Sequence, residues 1–296
     1  MVKSIINEKN IKKADVVFLS APYEKTVSSH KGTANGPKAV IDCLDTQIEF
    51  WDRKLKLNVN DYLKSAHKNL SKIKNLPPQK ASEVIQKNYS ELLKNDKFVF
   101  LLGGEHSVCI GAFEALSKKY KTKDVTILQI DAHCDLRDDD SDYSKKPTKY
   151  AHSAVMRRAS EMGFPIVQVG VRTYHESEYK YFSNKKNNVK VFEWGHPAKK
   201  PEIAEILKSI KTKNIYITID VDGFDPSVMP GTGTPVPGGL KWNYGMKLLE
   251  QAISKFNLVG ADIVEVSPQK DTPITEYSSA QLAYSMLTTK FRKKFK

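Results

Sequence analysis

The run Asp131-Ala132-His133-Cys134-Asp135 carries three metal-ligand side chains at alternate positions. It follows Val125-Thr126-Ile127-Leu128-Gln129-Ile130, an apolar run that reads as a buried parallel strand. If the chain stays extended there, the strand period of two puts Asp131, His133 and Asp135 on one face. A second stretch repeats the pattern, with Ile215-Tyr216-Ile217-Thr218-Ile219 running into Asp220-Val221-Asp222-Gly223-Phe224-Asp225-Pro226. A third strand, Phe98-Val99-Phe100-Leu101-Leu102, runs into Gly103-Gly104-Glu105-His106. Open α/β sheets hold their sites at the carboxyl ends of strands, which is where His106, Asp131, His133, Asp135, Asp220 and Asp222 fall. Two imidazoles and four carboxylates are too many for one ion. They suit two divalent cations with bridging carboxylates, and Mn²⁺ fits the nitrogen–oxygen mix better than Zn²⁺. A bound cation lowers the pKa of its water by many units, so such a pair can bind hydroxide at neutral pH.

The elements that must position these residues alternate strand and helix. Strands are expected at 15–20, 98–102, 125–130, 166–170, 189–192, 215–221 and 259–266. Helices are expected at 37–44, 61–75, 80–94, 110–120, 152–162, 201–210, 243–256 and 279–290. Pro37 sits at an early helical position, and Pro77-Pro78 divides two helical patterns. This alternation predicts a mostly parallel sheet with helices on both faces, a three-layer αβα sandwich. The segment 223–239 is long and rich in Gly and Pro, and loops of that kind are usually functional. No linker or internal repeat divides the chain, so residues 1–296 read as a single domain.

Composition narrows the class. The hydrophobic fraction of 40% is ample for a core. No apolar run reaches the roughly 18 residues that span a bilayer. The stretch Met1 to Ala14 is polar and Lys-rich without an apolar segment for secretion, which points to a cytoplasmic protein. Cys43, Cys109 and Cys134 form no CxxC pair and read as buried thiols. The net charge of +13 comes mainly from scattered Lys; the Arg are Arg53, Arg137, Arg157, Arg158, Arg172 and Arg292. Nucleic-acid binding calls for a clustered stripe with Arg and aromatics, so the expected partner is a small molecule, with neither nucleic acid nor membrane. The tail Lys290 to Lys296 reads as a frayed helix end.

At the site residues the chain resembles the ureohydrolases, the arginase/agmatinase family. The motifs that carry the resemblance are Gly103-Gly104-Glu105-His106-Ser107, Asp131-Ala132-His133-Cys134-Asp135, and Ile219 to Pro226 followed by Pro230-Gly231-Thr232-Gly233-Thr234-Pro235. A fainter match lies at Gly32-Thr33 and Gly36-Pro37-Lys38-Ala39-Val40. The resemblance implies an arginase-like fold with about eight strands. Seven are legible, and Gln47-Ile48-Glu49-Phe50-Trp51 is the candidate for the eighth.

The resemblance also implies two Mn²⁺ ions per subunit. One would be held by His106, Asp131, Asp135 and Asp220, the other by His133, Asp131, Asp220 and Asp222, with Asp131 and Asp220 bridging. Asp135 then counts among the catalytic residues as well. His152, in Lys149-Tyr150-Ala151-His152-Ser153-Ala154, matches the agmatinase branch, where this His passes protons to the leaving amine. An unperturbed imidazole titrates near 6.5, which suits that task. Glu265 matches the family's guanidinium-binding carboxylate, and a lone Glu ending an apolar strand is otherwise expensive to bury. Glu105 reads as a residue behind the ligands, and Asp225 as one that fixes the following loop. His67, His175 and His196 read as surface residues, and His30 as a loop residue. Trimers or hexamers are implied.

The substrate turns on the far end of the molecule, because agmatine and arginine share the guanidinium. Arginases carry an Asn two residues after DxHxD and a Ser-Gly-Asn block before the catalytic His. This chain has Arg137 and Pro147-Thr148-Lys149-Tyr150-Ala151 there instead. The acidic run Asp138-Asp139-Asp140 with Asp142 would attract an amine tail, while Arg137 could pair with an anionic one. The reading is an agmatinase that hydrolyses agmatine to urea and putrescine. Guanidinobutyrase, arginase and formimidoylglutamase are the alternatives among enzymes, and a metal-binding regulatory protein without turnover is the alternative outside them.

Overall fold

The computed structural model describes residues 4–295. Met1 to Lys3, in the polar N-terminal stretch, and Lys296, at the end of the basic tail, lie outside the described residues. The strands are β1 (Val16–Ala21), β2 (Trp51–Asp52), β3 (Leu57–Asn58), β4 (Ser65–Asn69), β5 (Phe98–Gly103), β6 (Val125–Ile130), β7 (Ile166–Val171), β8 (Val189–Glu193), β9 (Asn214–Asp220) and β10 (Asn257–Val264). The helices are α1 (Gly36–Thr46), α2 (Pro78–Lys94), α3 (Cys109–Lys119), α4 (Val155–Glu161), α5 (Glu176–Ser183), α6 (Ile203–Ser209), α7 (Trp242–Lys255) and α8 (Ile274–Lys290).

Eight strands form one sheet in the order β4-β1-β5-β10-β9-β6-β7-β8. Every neighbouring pair in it is parallel. Strand alternation sends side chains to both faces: Val16 and Phe18 of β1 join one apolar cluster, Val17 and Leu19 the other. Helices α1, α6, α7 and α8 cover the first face, and α2, α3 and α4 the second. This is the three-layer αβα sandwich expected, around a parallel eight-stranded sheet.

Three features differ from the expectation. The eighth strand is β4, inside the segment 61–75 that carries a helical apolar spacing. It is an edge strand of only five residues between two 3₁₀ turns, so little of the alternating signal exists to be read. Gln47 to Trp51 does not join the main sheet; Trp51 pairs with Asn58 in a small antiparallel ribbon. Helix α5 goes unseen in the sequence because its N-cap is His175, whose Nδ1 accepts from the Ser177 amide while Glu178 returns to the His175 amide. Both features escape the usual Ser/Thr/Asp/Asn signal.

The topology sets the site. Strands β5, β10, β9 and β6 are adjacent at the centre of the sheet. All four run the same way, so His106, Glu265, Asp220 with Asp222, and Asp131 emerge side by side at one edge. Gly223 allows the β6 and β9 exits to touch, because a Cβ there would lie 2.6 Å from the Asp131 amide nitrogen. That neighbour is backbone and cannot rotate away. Gly223→Ala is therefore expected to destabilise the fold by about 1–3 kcal/mol, measured by chemical denaturation. An unchanged midpoint would show that the two exits can separate freely.

Candidate metal centre

Asp131, His133 and Asp135 converge, but not as one extended strand. The chain bends at Ala132, the Asp131 side chain accepts the His133 amide at 2.6 Å, and Asp135 adopts a left-handed φ of 52°. A single aspartate in that region is strained, and such strain gathers at functional sites.

The residues form two overlapping groups. The first centres on His106, whose Nδ1 lies 3.2 Å from Asp131 Oδ2, 3.0 Å from Asp135 Oδ2 and 3.6 Å from Asp220 Oδ2. The second centres on His133, whose Nδ1 lies 3.5 Å from Asp131 Oδ1 and 3.1 Å from Asp222 Oδ2. The two oxygens of Asp131 thus face two different imidazoles. His106 Nδ1 is buried and has hydrogen-bond geometry to none of its neighbours. An imidazole nitrogen turned toward three carboxylate oxygens is what a shared cation satisfies. The donors are nitrogen and oxygen with no thiolate, which fits a hard or borderline divalent ion.

Other side chains hold the ligands from behind. His106 Nε2 lies 2.9 Å from Thr218 Oγ1, whose hydroxyl is 2.7 Å from Asp262 Oδ1, in the sheet interior. Gln129 donates to Asp131 Oδ2 at 2.6 Å and takes a hydrogen bond from Gln168 in turn. Thr234 donates to Asp222 Oδ2 at 3.0 Å. Arg172 reaches the carbonyls of Asp222 at 2.7 Å and Val236 at 2.6 Å, tying the long loop to the β9 exit.

Glu265 and His152 flank this cluster. Glu265 has a φ of 62°, and its Oε1 accepts the His106 amide at 2.7 Å. His152 Nδ1 lies 3.8 Å from the same oxygen. The structure therefore brings together all eight residues named from the sequence. Glu105 stands behind them, fully buried, taking hydrogen bonds from Lys25, Thr26 and Ser107. Asp225 braces its own loop through Ser227 and Gly238. His67 is half-buried against Ser20 rather than on the surface.

Burial and like charge dominate the electrostatics. Burial, then the neighbouring Asp131, push Asp135 up to about 7. Burial, then Asp222 and Asp131, push Asp220 well above the carboxylate range. Burial alone would lower His106 and His133, but the carboxylates around them win and leave both well above the ordinary imidazole value. Burial would raise Asp131, and its two histidines overcome that and lower it. Burial raises Glu265 strongly. His152 is brought down to about 3 by burial first, then by the positive charge on His133 and His106. It is not the unperturbed imidazole expected from the sequence, and cations in the cluster would push it the same way.

The acidic run is already satisfied. Asp138 pairs with Arg158 at 3.2 Å, Asp139 accepts the Ser141 amide, and Asp140 accepts the Thr148 amide at 2.6 Å. Asp142 pairs with Arg137. The run folds its own loop: Asp138 and Asp142 are ion-paired, whereas Asp139 and Asp140 accept neutral backbone amides. Arg137 is likewise occupied. What this loop does bring to the site is Tyr143, whose ring meets His152 edge-on at 5.9 Å and whose hydroxyl lies 2.7 Å from Ser153 Oγ.

Comparison with known proteins agrees with this geometry. The model of the arginase family matches residues 14–288. The chain is 33% identical to the N(1)-aminopropylagmatine ureohydrolase of Synechocystis sp., over 93% of this chain and 88% of that one. It is 31% identical to the agmatinase of Halalkalibacterium halodurans, over 91% of each. The crystal structure of the agmatine ureohydrolase of Thermoplasma volcanium superposes with a TM-score of 0.84 at 26% identity, covering 99% of this chain and 96% of that one.

A pH dependence follows from the cluster. Asp135, Asp220, His106 and His133 all have folded-state pKa values above their unfolded ones. In metal-free protein their stabilising contribution is complete at low pH and is lost as pH rises, for Asp135 between about 4 and about 7. Asp131 and His152, both lowered in the folded state, oppose this. Divalent cations favour the ionised ligands, so the rise in Tm on adding Mn²⁺ should grow from pH 5 to pH 8. A thermal shift that stays flat or shrinks over that range would contradict the electrostatic picture.

Proposed function

This chain belongs to the arginase family, and we propose that within it the chain hydrolyses the guanidinium of agmatine to urea and putrescine. That it is a metal-dependent hydrolase of guanidino compounds follows from the family and from relatives that align over nearly its full length. The observation that carries the finer reading is the double-faced Asp131, with one oxygen toward His106 and the other toward His133. It supports two cations, taken here as Mn²⁺, held by His106, Asp131, Asp135 and Asp220 and by His133, Asp131, Asp220 and Asp222. Bound there, the pair would supply water ionised at neutral pH as the nucleophile.

The remaining work falls to the chain's own side chains. Glu265 is a buried carboxylate whose burial disfavours its charge, so it gains from a cationic partner. A guanidinium offers two parallel N–H bonds, and Oε2 is free to accept while Oε1 holds the His106 amide. His152 lies between Glu265 and Tyr143 with its Nε2 buried and unpartnered. It is neutral at physiological pH, so it takes a proton first and hands it to the leaving amine afterwards. The reading takes residues 1–296 as one ureohydrolase domain, supported by a single sheet drawing strands from Val16 to Val264. A cytoplasmic trimer or hexamer in polyamine synthesis completes it. No helix of the described residues is long and apolar enough to cross a membrane.

The tail separates agmatine from its rivals. A carboxylate tail, as in arginine or guanidinobutyrate, meets an Arg137 already paired with Asp142. The relative at 33% identity supports a second reading, N(1)-aminopropylagmatine, which carries the same guanidinium on a longer amine. Urea release measured over agmatine, N(1)-aminopropylagmatine, arginine, guanidinobutyrate and formimidoylglutamate decides. Agmatine should give the highest kcat/KM. Arginine or guanidinobutyrate ahead by about tenfold, roughly 1.4 kcal/mol of transition-state binding, would overturn the assignment. The longer amine ahead by that factor would replace it with the second reading.

A further inference from the structure

The N-terminal loop after β1 passes directly beneath the strand exits. A Cβ at Gly104 would sit 2.1 Å from the Tyr23 carbonyl oxygen, so only glycine lets the two backbones lie together. The amides of Gly104 and Glu105 donate to the Ala21 and Tyr23 carbonyls at 3.0 and 2.9 Å. Beyond that contact the loop closes around the Glu105 carboxylate. Oε2 accepts the amides of Lys25 at 2.6 Å and Thr26 at 2.8 Å. Oε1 accepts the hydroxyls of Thr26 at 2.7 Å and Ser107 at 2.5 Å. All four donors point at one fully buried side chain, and neither oxygen is left for a metal.

The Thr26 hydroxyl does one thing more. Having given its proton to Glu105, it accepts the backbone amide of His152 at 3.0 Å. His152 opens the 3₁₀ turn His152–Ala154 before α4, and the residue ahead of it is extended, so its amide has no helical partner. We propose that Glu105 and Thr26 are positioning residues that hold the His152 main chain, and with it the imidazole, at its place over Glu265. The direction of each bond is fixed. An ionised Glu105 can only accept, so the Thr26 proton must point to it, and a lone pair must face His152. A buried, fully bonded carboxylate anchors the hydroxyl more rigidly than water would. Residues in the loops that follow β1 and β5 thereby set the height of a side chain that arrives from beyond β6, across 126 positions of sequence.

This inference rests on the assignment of His152 as the proton-transfer group, and the two fail separately in one set of variants. Thr26→Val keeps the shape and removes both hydrogen bonds, whereas Thr26→Ser keeps them. Thr26→Val should retain two metals by elemental analysis and an unchanged KM, while kcat falls about tenfold; Thr26→Ser should stay within about twofold of the parent. His152→Ala should lower kcat by roughly 10²–10⁴-fold, as for a lost general acid–base. In the His152→Ala background, Thr26→Val should have no further effect on kcat. A repeated tenfold loss in that background, loss of metal, or a rise in KM with kcat intact would overturn the positioning role. Full activity of His152→Ala would remove the proton-transfer assignment, and this role with it. Should Thr26→Val fold poorly, Thr26→Ala in both backgrounds reads the same coupling.

Discussion

Like charge in a confined, dry space governs this structure. Four aspartates and one glutamate reach the carboxyl ends of adjacent strands, and each is nearly or fully buried. Lost hydration first, and then repulsion from neighbouring carboxylates, raise Asp135, Asp220 and Glu265 above their ordinary range. Two imidazoles offset part of this, and the rest calls for positive charge from outside the chain. The sheet tolerates the arrangement because β5, β10, β9 and β6 are central, covered by helices on both faces and braced along their length. A cationic guanidinium is then suited to the same pocket, beside cations, because the carboxylates nearly balance the total charge.

Support for the cluster comes from polar side chains inside apolar strands. Gln129, Gln168, Thr218 and Asp262 are all fully buried. Gln129 steadies Asp131, Gln168 steadies Gln129, and Thr218 with Asp262 fixes which nitrogen of His106 turns to the carboxylates. The positive φ of Asp135 is held by the Met156 and Arg157 amides, which donate to its carbonyl, and that of Glu265 by its own amide, which donates to the Gly104 carbonyl. Strain of this kind persists only where surrounding contacts over-determine the backbone.

The sequence shows the ligands more readily than their supports. Acidic residues and histidines spaced by two at the end of a β-branched run are visible without coordinates, because strand period and ligand chemistry coincide. The sheet was legible for the same reason, save β4, whose short edge position leaves no alternation to read. Thr26 is invisible from sequence, since its role comes from a loop 126 residues away from His152. Gln129, Gln168 and Thr218 did leave a trace: a polar residue in an otherwise apolar strand must find a partner. Charge counted along the acidic run says nothing about pairing in space. Arg158 and Lys149 are near Asp138 only after the loop folds.

The claim on which the rest depends is that Asp131 joins two cations. Electron paramagnetic resonance during a Mn²⁺ titration tests it most directly. Two ions sharing a carboxylate, about 3.5–4 Å apart as in other two-metal sites, couple magnetically. At two equivalents the isolated-ion spectrum should therefore give way to that of a spin-coupled pair, and Asp131→Ala should restore the isolated-ion form. Two equivalents that simply double an isolated-ion spectrum, or a coupling left unchanged by Asp131→Ala, would contradict the bridge.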